Sequence, residues 1–280
     1  MPTDIKRPWP KRLYETMGGP GPWRRLTASQ RRMPDFLIIG AMRAGTTSLY
    51  SYICQHPQVA PSLRKEIHFF DRNFHKGHNW YRAHFPCCRS SNILTGEATP
   101  YYLFHPVAPL RINDTLPGIK LIAILRNPVD RAYSHYWQKI RRGRETLSFA
   151  DALAAEDARL QDESERLRDE PGSYSFNHNH FAYRARGRYA EQLEHWFELV
   201  PRDRILVVSG EELYRHSQNV MNDVFAFLGL PTTTLSAFPA SNQADYPAMD
   251  ADVRRQLAAE FAPHNQRLYR LLGKDFGWTT

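Results

Sequence analysis

The sequence predicts an α/β fold with a P-loop-like central parallel sheet flanked by helices. Three observations lead there. Short apolar runs alternate with amphipathic stretches, as the strands and covering helices of a parallel sheet require. Two of the runs, 36–39 and 121–125, are apolar throughout, the pattern of strands buried on both faces. The first of these ends at Gly40, and Gly45-Thr46-Thr47 then leads into a helical pattern. With 280 residues, 42% of them hydrophobic, the chain is long enough to bury one sizeable core.

Taken in order, the first expected strand is 35–39, which carries Phe36-Leu37-Ile38-Ile39. A helix is expected over 46–55, with Leu49, Tyr50 and Ile53 at helical spacing. The second strand, 66–70 (EIHFF), alternates Glu66 and His68 with Ile67 and Phe69, which puts the polar pair on one face. The third, 93–97, runs into Glu97 ahead of a proline-broken turn. A helical pattern over 103–113 precedes the fourth strand, 119–125. Asn127-Pro128 breaks that strand, and a helix follows over 129–142. Further helices are expected over 148–168, 188–199 and 218–228, with the fifth strand at 204–208. The last helix, 251–272, has Asp250 as its N-cap and Pro263 inside it, which predicts a kink or break.

The expected organisation is a basic arm rich in Pro, Gly and Arg, residues 1–34, followed by a single domain, 35–280. The net charge of +8 is concentrated in the arm, whose eight basic residues face only Asp4 and Glu15. The remaining body is close to neutral, which argues against a nucleic-acid partner. Residues 145–170 are acidic, with nine carboxylates against Arg159, Arg166 and Arg168. The arm is therefore expected to drape over the body or stay mobile, and to dock onto this segment within one chain or across a homodimer. Cys54, Cys87 and Cys88 make no disulfide framework, and no apolar run approaches a membrane span. The basic start lacks the apolar core of a signal peptide, and its prolines oppose a transit helix. These features read as a soluble, cytoplasmic chain.

Four segments carry chemistry. The glycine turn after 35–39 places backbone N–H groups at a helix N-terminus, an arrangement suited to phosphate oxygens. A nucleotide hydrolase carries Lys directly after the second Gly of such a loop, then Ser or Thr for magnesium. Here Thr46 holds the Lys position, and the one cation of the loop is Arg43. At 124–136 (ILRNPVDRAYSHY), Arg126 ends a buried strand where a magnesium-organising Asp would be expected, and Ser134 adds a hydroxyl from the next helix. Glu66 and His68 suit acid/base work. Glu97 reads as a loop anchor, with a second acid/base residue as the alternative. His178 and His180 lack a third ligand at metal-site spacing, so no metal is expected.

In this order and spacing these segments resemble the sulfotransferase family that uses 3′-phosphoadenosine 5′-phosphosulfate (PAPS). The likeness is to its carbohydrate-type branch, related to the heparan sulfate sulfotransferases, as a soluble, bacterial-like member. The family's Lys-x-Gly-Thr-Thr loop is matched by Arg43-Ala44-Gly45-Thr46-Thr47. Its Arg-x-Pro-x-x-Arg-x-x-Ser-x-Tyr motif runs from Arg126 to Tyr136, and its Glu-x-His-Phe-Phe segment from Glu66 to Phe70. The resemblance implies PAPS as the sulfate donor and no metal. It implies contacts to the nucleotide from Arg43, Ala44, Gly45, Thr46, Thr47, Ser48, Arg126 and Ser134. Arg43 would sit near the reacting bond and Glu66 would act as base, with His68 the lesser candidate. The acceptor would be a hydroxyl or amine of a small molecule, saccharide or lipid, met by the loops at 72–92, 143–180 and 232–249. Three departures stand out. Arg43 replaces the loop Lys, Ala98 stands in GEATP where heparan-type members have Lys, and SNQADYP (241–247) replaces their Lys-Gly-Arg loop. A catalytically inactive nucleotide-binding relative and a P-loop kinase are the rival readings.

Overall fold

Five strands form one sheet: β1 (Phe36–Gly40), β2 (Val59–Pro61), β3 (Leu94–Ala98), β4 (Lys120–Leu125) and β5 (Ile205–Ser209). They pair in the order β2-β3-β1-β4-β5, and every pair is parallel. The computed structural model describes residues 19–87, 92–170, 172–239 and 245–278. β1 lies between β3 and β4 with Phe36 to Ile39 wholly buried, which is what its uninterrupted apolar run requires. Because the strands run the same way, the segments that follow β3, β1, β4 and β5 all emerge along one edge.

The helices are α1 (Pro22–Leu26), α2 (Thr46–Ile53), α3 (Gly77–Arg82), α4 (Ala108–Thr115), α5 (Pro128–Arg141), α6 (Phe149–Ala154), α7 (Glu156–Leu160), α8 (Glu163–Asp169), α9 (Phe176–His180), α10 (Tyr189–Leu199), α11 (Gly210–Arg215), α12 (Ser217–Leu228) and α13 (Ala251–Leu272). Asn127 caps α5 by accepting from Val129 N at 3.0 Å, and Pro128 occupies the first turn, where its missing N–H costs nothing. A second apolar cluster, built from Val129, Tyr133, Phe149, Tyr183 and Phe261, holds α5 from the side away from the sheet. α5 is thereby clamped.

The expected strand at 66–70 is corrected. Glu66 and His68 have φ of 61° and 55°, in the left-handed region, which an extended strand excludes. Phe69–Asn73 then winds into one π-helical turn. Neighbouring Phe69 and Phe70 are both fully buried, and Phe69 stacks on Tyr81 at 4.3 Å. A half-exposed strand cannot bury two consecutive residues on one face, so the edge strand is β2, upstream. The helix expected over 148–168 is three short ones, separated in part by Asp162 at φ 60°. The helix expected over 103–113 starts only at Ala108, because Leu103 N first bonds the β1 carbonyl of Ile39 at 2.8 Å. α13 runs unbroken through Pro263, capped by Asp250, whose Oδ1 accepts from Asp252 N and Val253 N.

The described part of the arm lies against α3 and its exit, not against 145–170. Arg24 donates to the carbonyls of Ala83 and Phe85 at 2.7 and 2.8 Å, and Arg31 donates to Phe85 O at 3.0 Å. The acidic segment satisfies itself elsewhere: Glu145 pairs with Arg159, Glu163 with Arg166, and Glu156 with Arg184. Residues 1–18 of the expected arm lie outside the described residues. Because Arg24 holds neutral carbonyls rather than carboxylates, its contribution should resist salt screening. Arg24→Ala is expected to lower stability by about 1.5–3 kcal/mol in denaturant titrations, with the same loss at low and high salt. A loss that vanishes at high salt would show an ionic dock instead.

Candidate active site

A cleft of about 660 Å³ opens along the edge where the strands end. Its floor is the turn between β1 and α2. Gly45, at φ 113°, closes this turn in a conformation that a side chain disfavours, and it is the N-cap of α2 with no side chain capping the helix. Helix geometry leaves the first-turn N–H groups of Thr46 and Thr47 without an intrahelical acceptor, and both residues line the cleft with Gly45 and Ser48. Ala44 differs from the expectation. Its N–H is donated to Ala41 O at 3.2 Å and its side chain is buried, so it shapes the turn rather than offering a contact.

On the wall made by β4 and α5, Arg126 and Ser134 line the same cleft as Arg43. The sequence places Arg43 and Arg126 after two different strands; the structure joins them. Arg43 Nε donates to Ser134 Oγ at 3.1 Å, and Arg126 Nη1 donates to the Arg43 carbonyl at 3.3 Å. Tyr189 fixes the end of β4 by donating to Arg126 O at 2.9 Å. Burial lowers the Arg43 pKa, partly offset by Tyr246, and the neighbouring arginines at 126, 141 and 142 lower it further. Such a crowd of cations favours an anion among them.

Glu66 faces this wall. Its carboxylate accepts from Lys65 Nζ at 3.1 Å, and His68 Nε2 lies 3.8 Å away. Its partial burial would raise its pKa, but the nearby His68 and the charge of Lys65 carry it below the usual carboxylate range. His68 sits behind Glu66 and does not line the cleft. Its Nδ1 is 2.7 Å from Oδ2 of the fully buried Asp71. Burial pulls the imidazole down, but the Asp71 carboxylate more than reverses this and pushes it up to about 9. An imidazolium has no lone pair to take a proton, which favours Glu66 over His68 as the candidate base.

Glu97 is not in the cleft. Its wholly buried carboxylate takes hydrogen bonds from Tyr81 at 3.0 Å, Tyr102 at 2.9 Å, Thr99 at 2.6 Å and the Ile67 N–H at 3.3 Å. Burial raises its pKa against those bonds. This is an anchor, tying the end of β3 to the turn that carries Glu66. Arg186 and Arg188 also stay out of the cleft: Arg186 lies over the rings of Tyr101 and Phe104, and Arg188 pairs with Glu260.

The Sulfotransferase domain family model matches residues 33–250. The chain belongs to the sulfotransferase family. Among solved structures, a sulfotransferase from Alicyclobacillus acidocaldarius is 34% identical with a TM-score of 0.72, over 88% of this chain and 99% of that one. Among curated relatives, the heparan sulfate glucosamine 3-O-sulfotransferase 6 of Homo sapiens is 32% identical over 89% of this chain and 75% of its own length. The heparan sulfate glucosamine 3-O-sulfotransferase 3B1 of Mus musculus is 32% identical over 90% of this chain, which spans 66% of that relative. The parallel sheet and flanking helices are those of a sulfotransferase, and sulfuryl transfer is the chemistry of its family. Among the described residues, no helix is long and apolar enough to cross a membrane.

Sequence reasoning missed several residues of this sulfotransferase's cleft. Lys65 lines it and donates to Thr47 Oγ1 at 2.9 Å; its place directly before Glu66 was the available signal. Gly210, Glu211 and Tyr214 enter from α11, too short a helix for its period to show. A Cβ on Gly210 would lie 2.6 Å from the Ala44 carbonyl oxygen, so only glycine lets α11 meet the loop.

Two outcomes follow from this geometry. Glu97→Ala strands two tyrosine hydroxyls and a backbone N–H in the core, and should lose roughly 3 kcal/mol or more by chemical denaturation. Glu97→Gln, which still accepts, should lose clearly less. His68 has its folded pKa raised from 6.5 to about 9, so the folded state binds the proton more tightly. Its contribution to stability is fully present below pH 6.5 and is lost as pH rises through about 9. A histidine NMR titration should show that midpoint, and His68→Gln should flatten the alkaline fall in melting temperature.

Proposed function

We propose that the cleft binds PAPS and passes its sulfuryl group, in line and without obligatory metal, to a hydroxyl or amine of an acceptor. The observation that carries this reading is one cleft lined by both kinds of group. Arg43, Arg126, Ser134 and the first turn of α2 line it together with Glu66, a carboxylate held ionised. An anionic donor belongs beside the cations and an acceptor proton at the carboxylate. Arg126 ends β4 where a magnesium carboxylate would be needed, and the acids nearby are engaged: Asp130 with Arg254, Glu211 with Asn127 N. The kinase reading therefore lacks its parts.

In this scheme Glu66 takes the acceptor proton as the acceptor atom bonds to sulfur. The S–O bond to the 5′-phosphate breaks, and its electron pair leaves on the nucleotide as 3′-phosphoadenosine 5′-phosphate. Arg43 faces the oxygen on which that charge grows. The acceptor class is a saccharide, small molecule or lipid. Supporting an aromatic or sugar face, Tyr174 and Phe176 are exposed, and Arg72 stacks on Tyr174 at 4.9 Å, next to the Asp71 that holds His68. A reducing, cytoplasmic setting is supported by the free thiols of Cys54 and Cys87.

The test is transfer of radiolabelled sulfate from PAPS across sugars, phenols and lipids with metals chelated. Transfer supports the reading, and none from any acceptor, with no nucleotide bound, overturns it. Glu66→Gln should bind nucleotide normally and lose about 10²–10⁴-fold in turnover. Arg43→Ala should lose roughly a hundredfold or more, with a smaller loss in nucleotide affinity. In calorimetry 3′-phosphoadenosine 5′-phosphate should bind far better than AMP, and Arg126→Ala should erase that preference.

A further inference from the structure

Lys65 makes two contacts that no part of the scheme above uses. Its Nζ is 2.9 Å from Thr47 Oγ1, at the mouth of the phosphate-facing loop, and 3.1 Å from Glu66 Oε1. The backbone of the next residue ties this segment to the sheet, with Glu66 N donating to Ala98 O at 3.0 Å. One ammonium thus stands between the donor wall and the base. The groups around Glu66 are Lys65 and His68 from its own segment, Asp71 behind His68, Thr47 from α2 and, across the cleft, Arg43.

This arrangement presents a conflict. A carboxylate pinned by two cations stays ionised, but its affinity for the acceptor's proton is poor, and general-base efficiency falls with that affinity. The reaction needs Glu66 ionised before transfer and basic during it. One of the two cations must therefore be removable. His68 is not, because the fully buried Asp71 holds its other nitrogen at 2.7 Å. Lys65 is: its side chain is a flexible stem ending in a point charge, partly exposed, and its second contact is a neutral hydroxyl.

Resting on the reading that PAPS is the donor, we propose that Lys65 is a mobile catalytic cation, shared between Glu66 in the free enzyme and the sulfuryl oxygens once PAPS is bound. No covalent bond to Lys65 forms or breaks, and it keeps its proton throughout. On moving it does two things. It neutralises the negative charge of the group being transferred, and it returns to Glu66 the proton affinity that the acceptor's deprotonation requires. Donor binding thereby switches on the base.

The test compares the parent with Lys65→Met and Lys65→Arg by calorimetry, using PAPS and 3′-phosphoadenosine 5′-phosphate, which differ only in the sulfuryl group. Lys65→Met should lose roughly tenfold in affinity for PAPS, the loss of one charge-assisted contact, and keep its affinity for 3′-phosphoadenosine 5′-phosphate within about threefold. Lys65→Arg should keep most of the PAPS affinity. Carbon-13 NMR of the Glu66 carboxyl supplies the second readout. In the parent its titration should move up on adding PAPS but not 3′-phosphoadenosine 5′-phosphate; in Lys65→Met it should already lie higher in the free enzyme. Equal loss for both nucleotides would make Lys65 an ordinary phosphate ligand. An unmoved Glu66 titration in Lys65→Met would remove the switch, and either result overturns the proposal. A parent that binds neither nucleotide instead overturns the donor assignment.

Discussion

A carboxylate with no water around it must receive every hydrogen bond it can take, and Glu97 is where this protein meets that demand. Its four donors come from separate stretches of chain: Tyr81 in α3, Thr99 and Tyr102 in the turn after β3, and the Ile67 N–H in the turn that carries Glu66. Tyr102 extends the network by accepting from Phe69 N at 2.9 Å. No single segment is stable in this arrangement alone. The buried carboxyl group requires all of them at once, and the cost of leaving any one donor out is what holds the others in register. The turn at 66–68 inherits its position from that requirement, and so does the Glu66 carboxylate that lines the cleft.

The opposite wall depends on charges that cannot pair off internally. Arg43 and Arg126 meet a hydroxyl and a carbonyl, not carboxylates. Both side chains line the cleft, where they present a single continuous surface. A nucleotide whose phosphates occupy the 3′ and 5′ positions of one ribose presents its charges on a small arc. One wall suits it better than two separated sites.

Four of the five strands were legible, β1 and β4 most plainly because continuous apolarity such as that of 121–125 marks a strand buried on both faces in an α/β pattern; the short edge strand β2, whose residues run from buried to exposed, was not. The phosphate-facing loop and Arg126 were legible because both sit where a strand stops. The segment around Glu66 was legible as chemistry but not as structure. Alternation of Glu66, Ile67, His68 and Phe69 mimics a strand, and only the burial of Phe70 beside Phe69 shows that the chain turns. Lys65 and Gly210 escaped for a different reason. Lys65 acts through contacts made across the fold, to Thr47 on α2, and Gly210 matters through an approach to Ala44, far away in sequence. Pairings of that kind leave no local period. The four missed helices are five or six residues long, less than two turns, and so carry too few positions for a pattern.

Backbone strain marks the same place independently. Among the described residues four that are not glycine have positive φ: Arg43, Glu66, His68 and Asp162. Asp162 has a local reason, because Asp tolerates the left-handed region and this one opens α8 from the exposed surface. The other three have none. Arg, Glu and His gain nothing locally from a conformation that costs on the order of 1–3 kcal/mol each, and each has a side chain that the surrounding structure directs at a partner. Arg43 reaches Ser134, Glu66 reaches Lys65, and His68 reaches Asp71. Strain that recurs at two residues lining one cleft and at the His68 behind one of them, and is maintained by contacts from α5, the 65–66 segment and the π-helical turn, is what a site selected for geometry rather than for stability looks like. The glycine that would relieve it at any of the three would also remove the side chain that the strain holds in place.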